Sequence, residues 1–201
     1  MVFIFSTLFS CAQSKSKKKK DLSKFQTAYF ASGCFWCVEA VFESVIGVEE
    51  VVSGYSGGKE KKPTYGQVSR GETGHAESVK VYYDSSKVKY LDLLRVFFCS
   101  HDPSTYHQQG PDKGSQYRSI IFYKNESEKT KAKSYVNYLL ENKKFNKITT
   151  ELVPFEIFYQ AEQYHQDYKK LNPTHPYVIS VSNPRFELFK KKCPDLLKNR
   201  G

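Results

Sequence analysis

Residues 26–47 read QTAYFASGCFWCVEAVFESVIG, and this segment sets the architecture of the chain. Its first part is mainly aromatic and small side chains, which predicts a strand over Gln26–Ser32 that Gly33 interrupts. Over residues 34–45 the apolar side chains recur at helical spacing, and Gly47 ends the predicted helix. The segment therefore predicts a strand that runs directly into a helix, with a cysteine at the junction.

The rest of the chain also mixes strands and helices. Further strands are predicted over residues 48–53, 77–83, 118–123 and 148–153, and further helices over residues 90–99, 127–142 and 161–171. Residues 25–174 contain no internal repeat and no low-complexity linker, which predicts one domain followed by a tail at 175–201. Intermixed strands and helices favour the α+β class, with helices packed on a sheet.

Composition excludes several classes of protein. Of the 201 residues, 15% are aromatic, which argues against a disordered chain and against a coiled coil. No stretch approaches the roughly 20 apolar residues that a membrane-spanning helix needs. The formal net charge is +10, but residues 1–24 hold six lysines and one aspartate and so carry half of it. The remaining charge is ordinary for a solvated surface, which argues against nucleic-acid binding.

The first residues suggest a targeting segment. An apolar run, MVFIFSTLFS, leads directly into Cys11, and Leu8-Phe9-Ser10-Cys11 resembles a bacterial lipobox. On this interpretation Cys11 is lipidated, residues 1–24 are a lipoprotein signal with a basic tether, and the protein is anchored in the cell envelope. The alternative is a cytoplasmic protein whose apolar N-terminus carries an incidental cysteine, since no Lys or Arg precedes the apolar run.

The string Gly33-Cys34-Phe35-Trp36-Cys37 carries the strongest chemical signal. A helix start favours a thiolate, which predicts an ionised Cys34, and Cys37 lies one turn further on the same helical face. A zinc site would need four ligands, and the sequence offers no second pair at ligand spacing. A purely structural role for the two cysteines is disfavoured, because the neighbouring side chains Phe35 and Trp36 would be costly at the surface. Redox chemistry is the best interpretation, although a CxxC motif alone does not separate a thioredoxin-like exchanger from a reductase.

Two other strings point to a reductase. Residues 71–77, GETGHAE, deliver Glu77 to the start of an apolar strand, where desolvation raises the pKa of a carboxyl group and keeps it protonated. Residues 109–119, QGPDKGSQYRS, form a polar loop punctuated by glycine, and such loops carry function more often than packing. A disulfide exchanger needs neither segment.

Together, several long motifs resemble the A-type peptide methionine sulfoxide reductases. They are GCFWC, GYSGG, PTYGQVSRGETGHAES, HDP with QGPDKGSQYRS, and ITTEL with AEQYHQDY, in the family's order across residues 25–173. The resemblance implies a two-layer, ferredoxin-like α+β sandwich with a central mixed sheet and an irregular C-terminal extension. It also implies a monomeric enzyme that needs no metal or other cofactor. Its implied substrate is methionine-S-sulfoxide, free or in proteins, and its implied reductant is thioredoxin or a thioredoxin-like protein.

The resemblance also assigns roles to site residues. Cys34 would attack the sulfoxide sulfur, and Glu77 would protonate the sulfoxide oxygen. Phe35 and Trp36 would form the apolar wall that receives the S-methyl group. The remaining residues implied by the match would hydrogen-bond the oxygen or help to hold the substrate: Tyr65, Tyr117 and Asp112.

Recycling is where this chain departs from the commoner family pattern, which has Gly at position 37 and resolving cysteines near the C-terminus. Cys37 is therefore the first candidate to resolve an oxidised Cys34. Cys193, predicted to lie in a mobile tail among lysines, is the second. Cys99, on the apolar side of a helix, is expected to be a buried core thiol.

Two rival functions remain at this stage. A thiol–disulfide exchange protein would use Cys34 and Cys37 and would not need Glu77. A basic, surface-attached binding module would depend on Lys15–Lys20 and lose affinity steeply with salt. The long series of motifs argues against both.

Overall fold

The computed structural model describes residues 20–198, so Cys11 and most of the predicted signal segment lie outside the described residues. Within this range, no helix is both long enough and apolar enough to cross a membrane.

A six-stranded sheet forms the centre of the molecule, in the order β7-β6-β1-β3-β2-β8. Its strands are β1 (Gln26–Ser32), β2 (Val48–Ser56), β3 (Ala76–Tyr83), β6 (Ser119–Tyr123), β7 (Glu151–Pro154) and β8 (Phe158–Gln160). Neighbouring strands are antiparallel except β6 and β7, which are parallel. A separate short hairpin pairs β4 (Gln108–Gln109) with β5 (Asp112–Lys113). The predicted α+β class with a central mixed sheet is confirmed.

The helices are α1 (Phe35–Glu43), α2 (Tyr65–Ser69), α3 (Tyr90–Cys99), α4 (Glu126–Glu141), α5 (Tyr168–Leu171) and α6 (Asn183–Lys192). A π-helical turn, Val178–Ser182, leads into α6. Residues 175–201 were predicted to be a tail, but α6, within the described part of that segment, contacts both α1 and α3. The C-terminal segment is therefore part of the folded unit.

The main core lies between the sheet and helices α1 and α3. Phe30 of β1 stacks on Phe42 of α1 with ring centroids 5.0 Å apart, and Phe97 of α3 lies 5.4 Å from the same ring. All three rings are fully buried. On the opposite sheet face, Tyr29 stacks on Phe155 at 3.8 Å within a smaller apolar cluster. Because both faces of β1 are covered, this strand is a rigid base for the residues that follow it.

One predicted element is wrong. The helix predicted over residues 161–171 is a 3-10 turn, Gln163–His165, followed by the short helix α5. Asp167 breaks the helix because it adopts a left-handed conformation, with φ +55°. The Gln166 side chain fixes this break, since its amide bonds to both the backbone N–H and the carbonyl of Ser53, at 2.9 and 3.0 Å. A tertiary contact thus overrides the local helical pattern.

Smaller differences concern helix starts and exposed faces. Helix α4 begins at Glu126 rather than at Ser127, because the Asn125 side chain accepts the Glu128 N–H and caps it. Tyr138 of this helix is 50% exposed.

Candidate active site

The junction between β1 and α1 places Cys34 at the start of the helix. Gly33 has φ +87°, and a Cβ on it would lie 2.6 Å from the Gln109 side chain. Glycine is therefore required for both backbone conformation and space. Cys34 is the helix N-cap residue, and its carbonyl accepts the N–H groups of Cys37 and Val38. Its side chain is 7% exposed.

Glu77 of β3 reaches the same helix end. Its Oε2 accepts the Phe35 N–H at 3.0 Å, and the residue is 2% exposed. Burial raises the pKa of Glu77 to about 8, although the Phe35 N–H opposes this shift. The predicted protonated carboxyl group is thus what the geometry favours at neutral pH.

The charge on the two thiols differs from the sequence-based expectation. Burial raises the pKa of Cys34 well above its usual value, and a hydrogen bond shared with Cys37 and the Glu77 carboxyl group raise it further. The same hydrogen bond, with contributions from Arg185 and Ser182, lowers the pKa of Cys37 to about 6. In the resting site, burial and the hydrogen bond to Cys37 favour the protonated thiol of Cys34, whereas the helix-start argument predicts its thiolate. The surroundings of the pair favour a thiolate on Cys37.

Cys34 and Glu77 open into one cavity of about 290 Å³. Every residue that the sequence resemblance placed at the sulfoxide lines it, together with two residues that it did not place there: Cys34, Phe35, Trp36, Tyr65, Glu77, Asp112 and Tyr117, and then His175 and Tyr177. Residues distant in sequence thus converge on a space sized for a small side chain.

Aromatic rings form one wall of this cavity. Phe35 is buried, and Trp36 stacks on Tyr168 with ring centroids 3.6 Å apart. The Trp36 indole donates its Nε1–H to Nδ1 of His165 at 3.0 Å, which fixes the ring plane. Tyr177 meets the indole edge-on at 5.7 Å. The wall is therefore apolar and held rigidly.

Two phenols enter from short helical turns. The backbone N–H of Tyr65 donates to Glu162 at 2.9 Å, and Thr64 caps helix α2. Tyr117 follows Gly114, whose φ of +134° a side chain would strain. Burial raises the pKa of Tyr65 to about 12 and that of Tyr117 further, so both keep their protons and can donate hydrogen bonds.

Asp112 and Tyr177 close the cavity. The Tyr177 hydroxyl donates to the Asp112 carboxylate at 2.5 Å. Sequence reasoning missed Tyr177 and His175, since both lie in the segment predicted to be a tail. The available signal is an aromatic residue next to Pro176, which by itself indicates no site.

The predicted roles of the remote cysteines need correction. Cys193 is 1% exposed and forms a disulfide with Cys99 of α3, with Cα atoms 6.5 Å apart. It does not lie in a mobile tail, because α6 packs it into the core. Cys99 is not a free core thiol but its partner. Within residues 20–198, the free cysteines are Cys34 and Cys37.

The site combines a buried thiol pair with a protonated carboxyl group and two phenol donors. Within the described part of the chain, no cluster of three His, Cys, Asp or Glu residues could hold a metal ion. Thiols that exchange electrons beside an acid that can protonate an oxygen define a thiol-dependent oxidoreductase.

Comparison with known proteins defines the class further. A family model described as peptide methionine sulfoxide reductase matches residues 26–196. The chain belongs to this family, as the sequence motifs predicted, and it is an oxidoreductase. The match extends past residue 173, where the motif resemblance ended, and includes the C-terminal segment.

Individual relatives support the same family assignment. The peptide methionine sulfoxide reductase MsrA of Sulfolobus acidocaldarius is 49% identical over 170 residues, which cover 85% of this chain and 96% of that protein. The reduced form of Mxr1 from Saccharomyces cerevisiae is 34% identical with a TM-score of 0.71, covering 78% of this chain and 90% of that one. Another structure holds Mxr1 in complex with Trx2; its chain is 23% identical with a TM-score of 0.51, covering 77% of this chain and 91% of that one, and supports the fold alone.

Proposed function

We propose that this enzyme reduces methionine-S-sulfoxide, free or within proteins, to methionine. One observation carries the proposal: the Cys34 thiol and the Glu77 carboxyl group face the same aromatic-walled cavity. A sulfoxide oxygen leaves only when it is protonated, so the reaction needs a sulfur nucleophile and an acid together at neutral pH.

Substrate binding follows from the walls of the cavity. The S-methyl group lies against Phe35 and Trp36, where it displaces water from an apolar surface. The sulfoxide oxygen accepts hydrogen bonds from Tyr65, Tyr117 and Glu77. The two phenols orient the oxygen, and the Glu77 carboxyl group supplies the proton.

Attack by Cys34 requires that its thiol lose a proton. Cys37 is hydrogen-bonded to Cys34 and its surroundings favour a thiolate, so it is placed to accept that proton. The Cys34 sulfur then attacks the sulfoxide sulfur while Glu77 protonates the oxygen. Oxygen is transferred to Cys34 as a sulfenic acid, and methionine leaves with two more electrons than the sulfoxide had.

Cys37 resolves the sulfenic acid. Cys37 passes the proton that it accepted to the sulfenic oxygen, and its sulfur attacks the Cys34 sulfur, so a sulfur–sulfur bond forms, the sulfur–oxygen bond breaks, and the oxygen leaves as water. An external dithiol must then reduce the Cys34–Cys37 disulfide. We propose a thioredoxin-type protein for this step, supported by the exchange chemistry and by the complex that the yeast relative Mxr1 forms with Trx2.

The decisive experiment measures methionine released from a resolved sulfoxide epimer with thioredoxin as reductant. The S epimer is expected to turn over, the R epimer is not, and Cys34→Ser is expected to release no methionine. Reduction of insulin disulfides measured in parallel tests the exchange alternative. Insulin reduction without methionine release would overturn the proposal.

We also propose that the protein is anchored in the bacterial cell envelope through lipidation of Cys11. The lipobox-like string before Cys11 supports this. So does the Cys99–Cys193 disulfide, since structural disulfides are typical of oxidising compartments. Mass spectrometry of the N-terminus from a membrane fraction tests it: a lipidated Cys11 is expected, and an unprocessed peptide from a soluble fraction would contradict it.

A further inference from the structure

A buried serine contacts the second thiol of the site. Ser182 Oγ lies 3.0 Å from Cys37 Sγ, although the two residues are 145 positions apart. Both are nearly inaccessible, with exposures of 1% for Ser182 and 2% for Cys37. If the sulfur is ionised, only the hydroxyl can donate, so this contact favours a thiolate on Cys37.

An arginine lies beside the junction of β1 and α1, and its positive charge favours the Cys37 thiolate. The Arg185 guanidinium donates to the Ser100 carbonyl at 2.6 Å, and to the carbonyl and hydroxyl of Ser32 at 2.8 and 3.2 Å. It also packs on Gly33, where an added Cβ would lie 3.4 Å from one of its nitrogens. All these acceptors are neutral, and within residues 20–198 the guanidinium makes no ion pair that would cancel its charge.

The charged and titratable groups that face Cys37 come from every element around it. The Cys34 thiol, at the start of α1, donates a hydrogen bond to the Cys37 sulfur. The Asp112 carboxylate of β5 opposes ionisation of Cys37. The Glu77 carboxyl group and the Tyr177 phenol also interact with Cys37, but both keep their protons near neutral pH. Arg185 is therefore the cation of this group.

We propose that Ser182 and Arg185 make Cys37 the resolving nucleophile, Ser182 by donating a hydrogen bond to its sulfur and Arg185 by placing a positive charge beside it. The proposal rests on the proposed reductase function and assigns the recycling step to residues of the C-terminal segment. Both residues lie within four positions of each other on the π-helical turn and α6. π-Helical turns are frequent at functional sites.

The assignment follows the chemistry of resolution. Attack on the sulfenic acid needs an ionised Cys37 at the moment when Cys34 carries the oxygen and can no longer donate a thiol proton. Ser182 and Arg185 do not depend on the state of Cys34, so they continue to stabilise the thiolate in that intermediate. The Cys37 thiolate then forms the disulfide, and the sulfenic hydroxyl leaves as water after taking up the one proton that Cys37 released.

A titration of Cys37 alone tests this without any sulfoxide. In a Cys34→Ser background, the pH dependence of the ultraviolet absorbance of the thiolate reports the Cys37 pKa, and no reagent has to reach the buried sulfur. Adding Ser182→Ala is expected to raise that pKa by about one unit, the effect of losing one hydrogen bond to a charged group. Ser180→Ala is the matched control, because Ser180 is exposed and bonds only to the Pro176 carbonyl.

Arginine variants separate charge from packing. Arg185→Gln removes the charge and is expected to raise the Cys37 pKa, whereas Arg185→Lys disrupts the same hydrogen bonds but keeps the charge and is expected to restore most of the shift. Circular dichroism checks that each variant folds, and the arginine pair still gives an answer if Ser182→Ala does not.

The kinetic counterpart uses the intact thiol pair. After one turnover with sulfoxide, Ser182→Ala is expected to slow formation of the Cys34–Cys37 disulfide about tenfold where the pH lies below the Cys37 pKa, because the thiolate fraction there falls tenfold for each unit by which the pKa rises; mass spectrometry of quenched samples measures this. A Cys37 pKa that stays within a few tenths of a unit in both Ser182→Ala and Arg185→Gln would overturn the proposal. Failure of the proposed function would show differently, as absence of methionine release by the wild-type enzyme.

Discussion

The two sides of the cavity are built in different ways. Cys34 follows β1, Tyr117 precedes β6 and Glu77 lies in β3. Together with Tyr65 they form what we call the sheet side. Tyr177, Ser182 and Arg185 arrive on residues 175–192, which pack on α1 and α3 and form the C-terminal side. On our proposals, the sheet side reduces the sulfoxide and the C-terminal side prepares the recycling thiol. Substitutions on the two sides should therefore fail at different steps.

The largest effect is expected at the thiols. Cys34→Ser should abolish methionine release, because no other free thiol of the described residues lines the cavity. Cys37→Ser should release about one methionine per enzyme and then stop, because the sulfenic acid is not converted to a disulfide that thioredoxin can reduce. Counting methionine per active site with thioredoxin as reductant distinguishes the two. Sustained turnover by Cys37→Ser would show that Cys37 is not the resolving cysteine, which would contradict the proposed division of steps between the two sides.

Glu77→Gln should slow single-turnover methionine release by roughly 10²–10⁴, the range for loss of a general acid. In the wild-type enzyme the acid must be protonated, so release should fall as pH rises through the Glu77 pKa of about 8. Rates of single-turnover methionine release measured from pH 6 to pH 10 test whether the rate falls as the pH rises.

Glu39→Gln is the matched control for this experiment. Burial also raises the pKa of Glu39 to about 8, but its carboxylate binds Ser53 and the Asp167 N–H, away from the cavity. It should keep the decline of the rate above pH 8. If the decline disappeared in Glu39→Gln but persisted in Glu77→Gln, the general acid would be Glu39 and not Glu77.

The sheet side could be predicted because chain connectivity fixes it. β1 has the predicted bounds, and Cys34 must emerge wherever β1 ends. Glu77 is held in the same way, as the second residue of β3. The positions of motifs in or next to strands can therefore be predicted once the strands are predicted. The family resemblance predicted the remaining cavity residues.

The C-terminal side could not be predicted because packing alone positions it. Nothing local ties Tyr177 to Asp112, 65 positions away, or Cys193 to Cys99. The distribution of charge between Cys34 and Cys37 could not be predicted for a related reason. A helix start offers N–H groups to any neighbour, and only the folded structure shows that Glu77 takes the one from Phe35.

Removing the Cys99–Cys193 disulfide tests how much this bond stabilises the packing of the C-terminal side. Cys193→Ser opens a bridge between cysteines 94 positions apart, and is expected to lower the free energy of unfolding by about 2–4 kcal/mol. Urea unfolding of oxidised wild type and variant measures this, with Cys99→Ser as the matched control that should lose the same amount. Methionine release with thioredoxin should continue, since neither cysteine reaches the cavity. Loss of turnover in Cys193→Ser but not in Cys37→Ser would make Cys193 the resolving cysteine.

The smallest effect is expected at Tyr177, where the two sides meet. Its hydroxyl donates to Asp112 at 2.5 Å, so Tyr177→Phe leaves a half-buried carboxylate without this partner while keeping the ring against Trp36. Loss of one such hydrogen bond should lower kcat/KM for the sulfoxide about tenfold. Tyr138→Phe, at an exposed position of α4, is the control and should match wild type. If the loss appears in methionine release, the C-terminal side also shapes the substrate site; if it appears only in disulfide formation, the two sides act on separate steps.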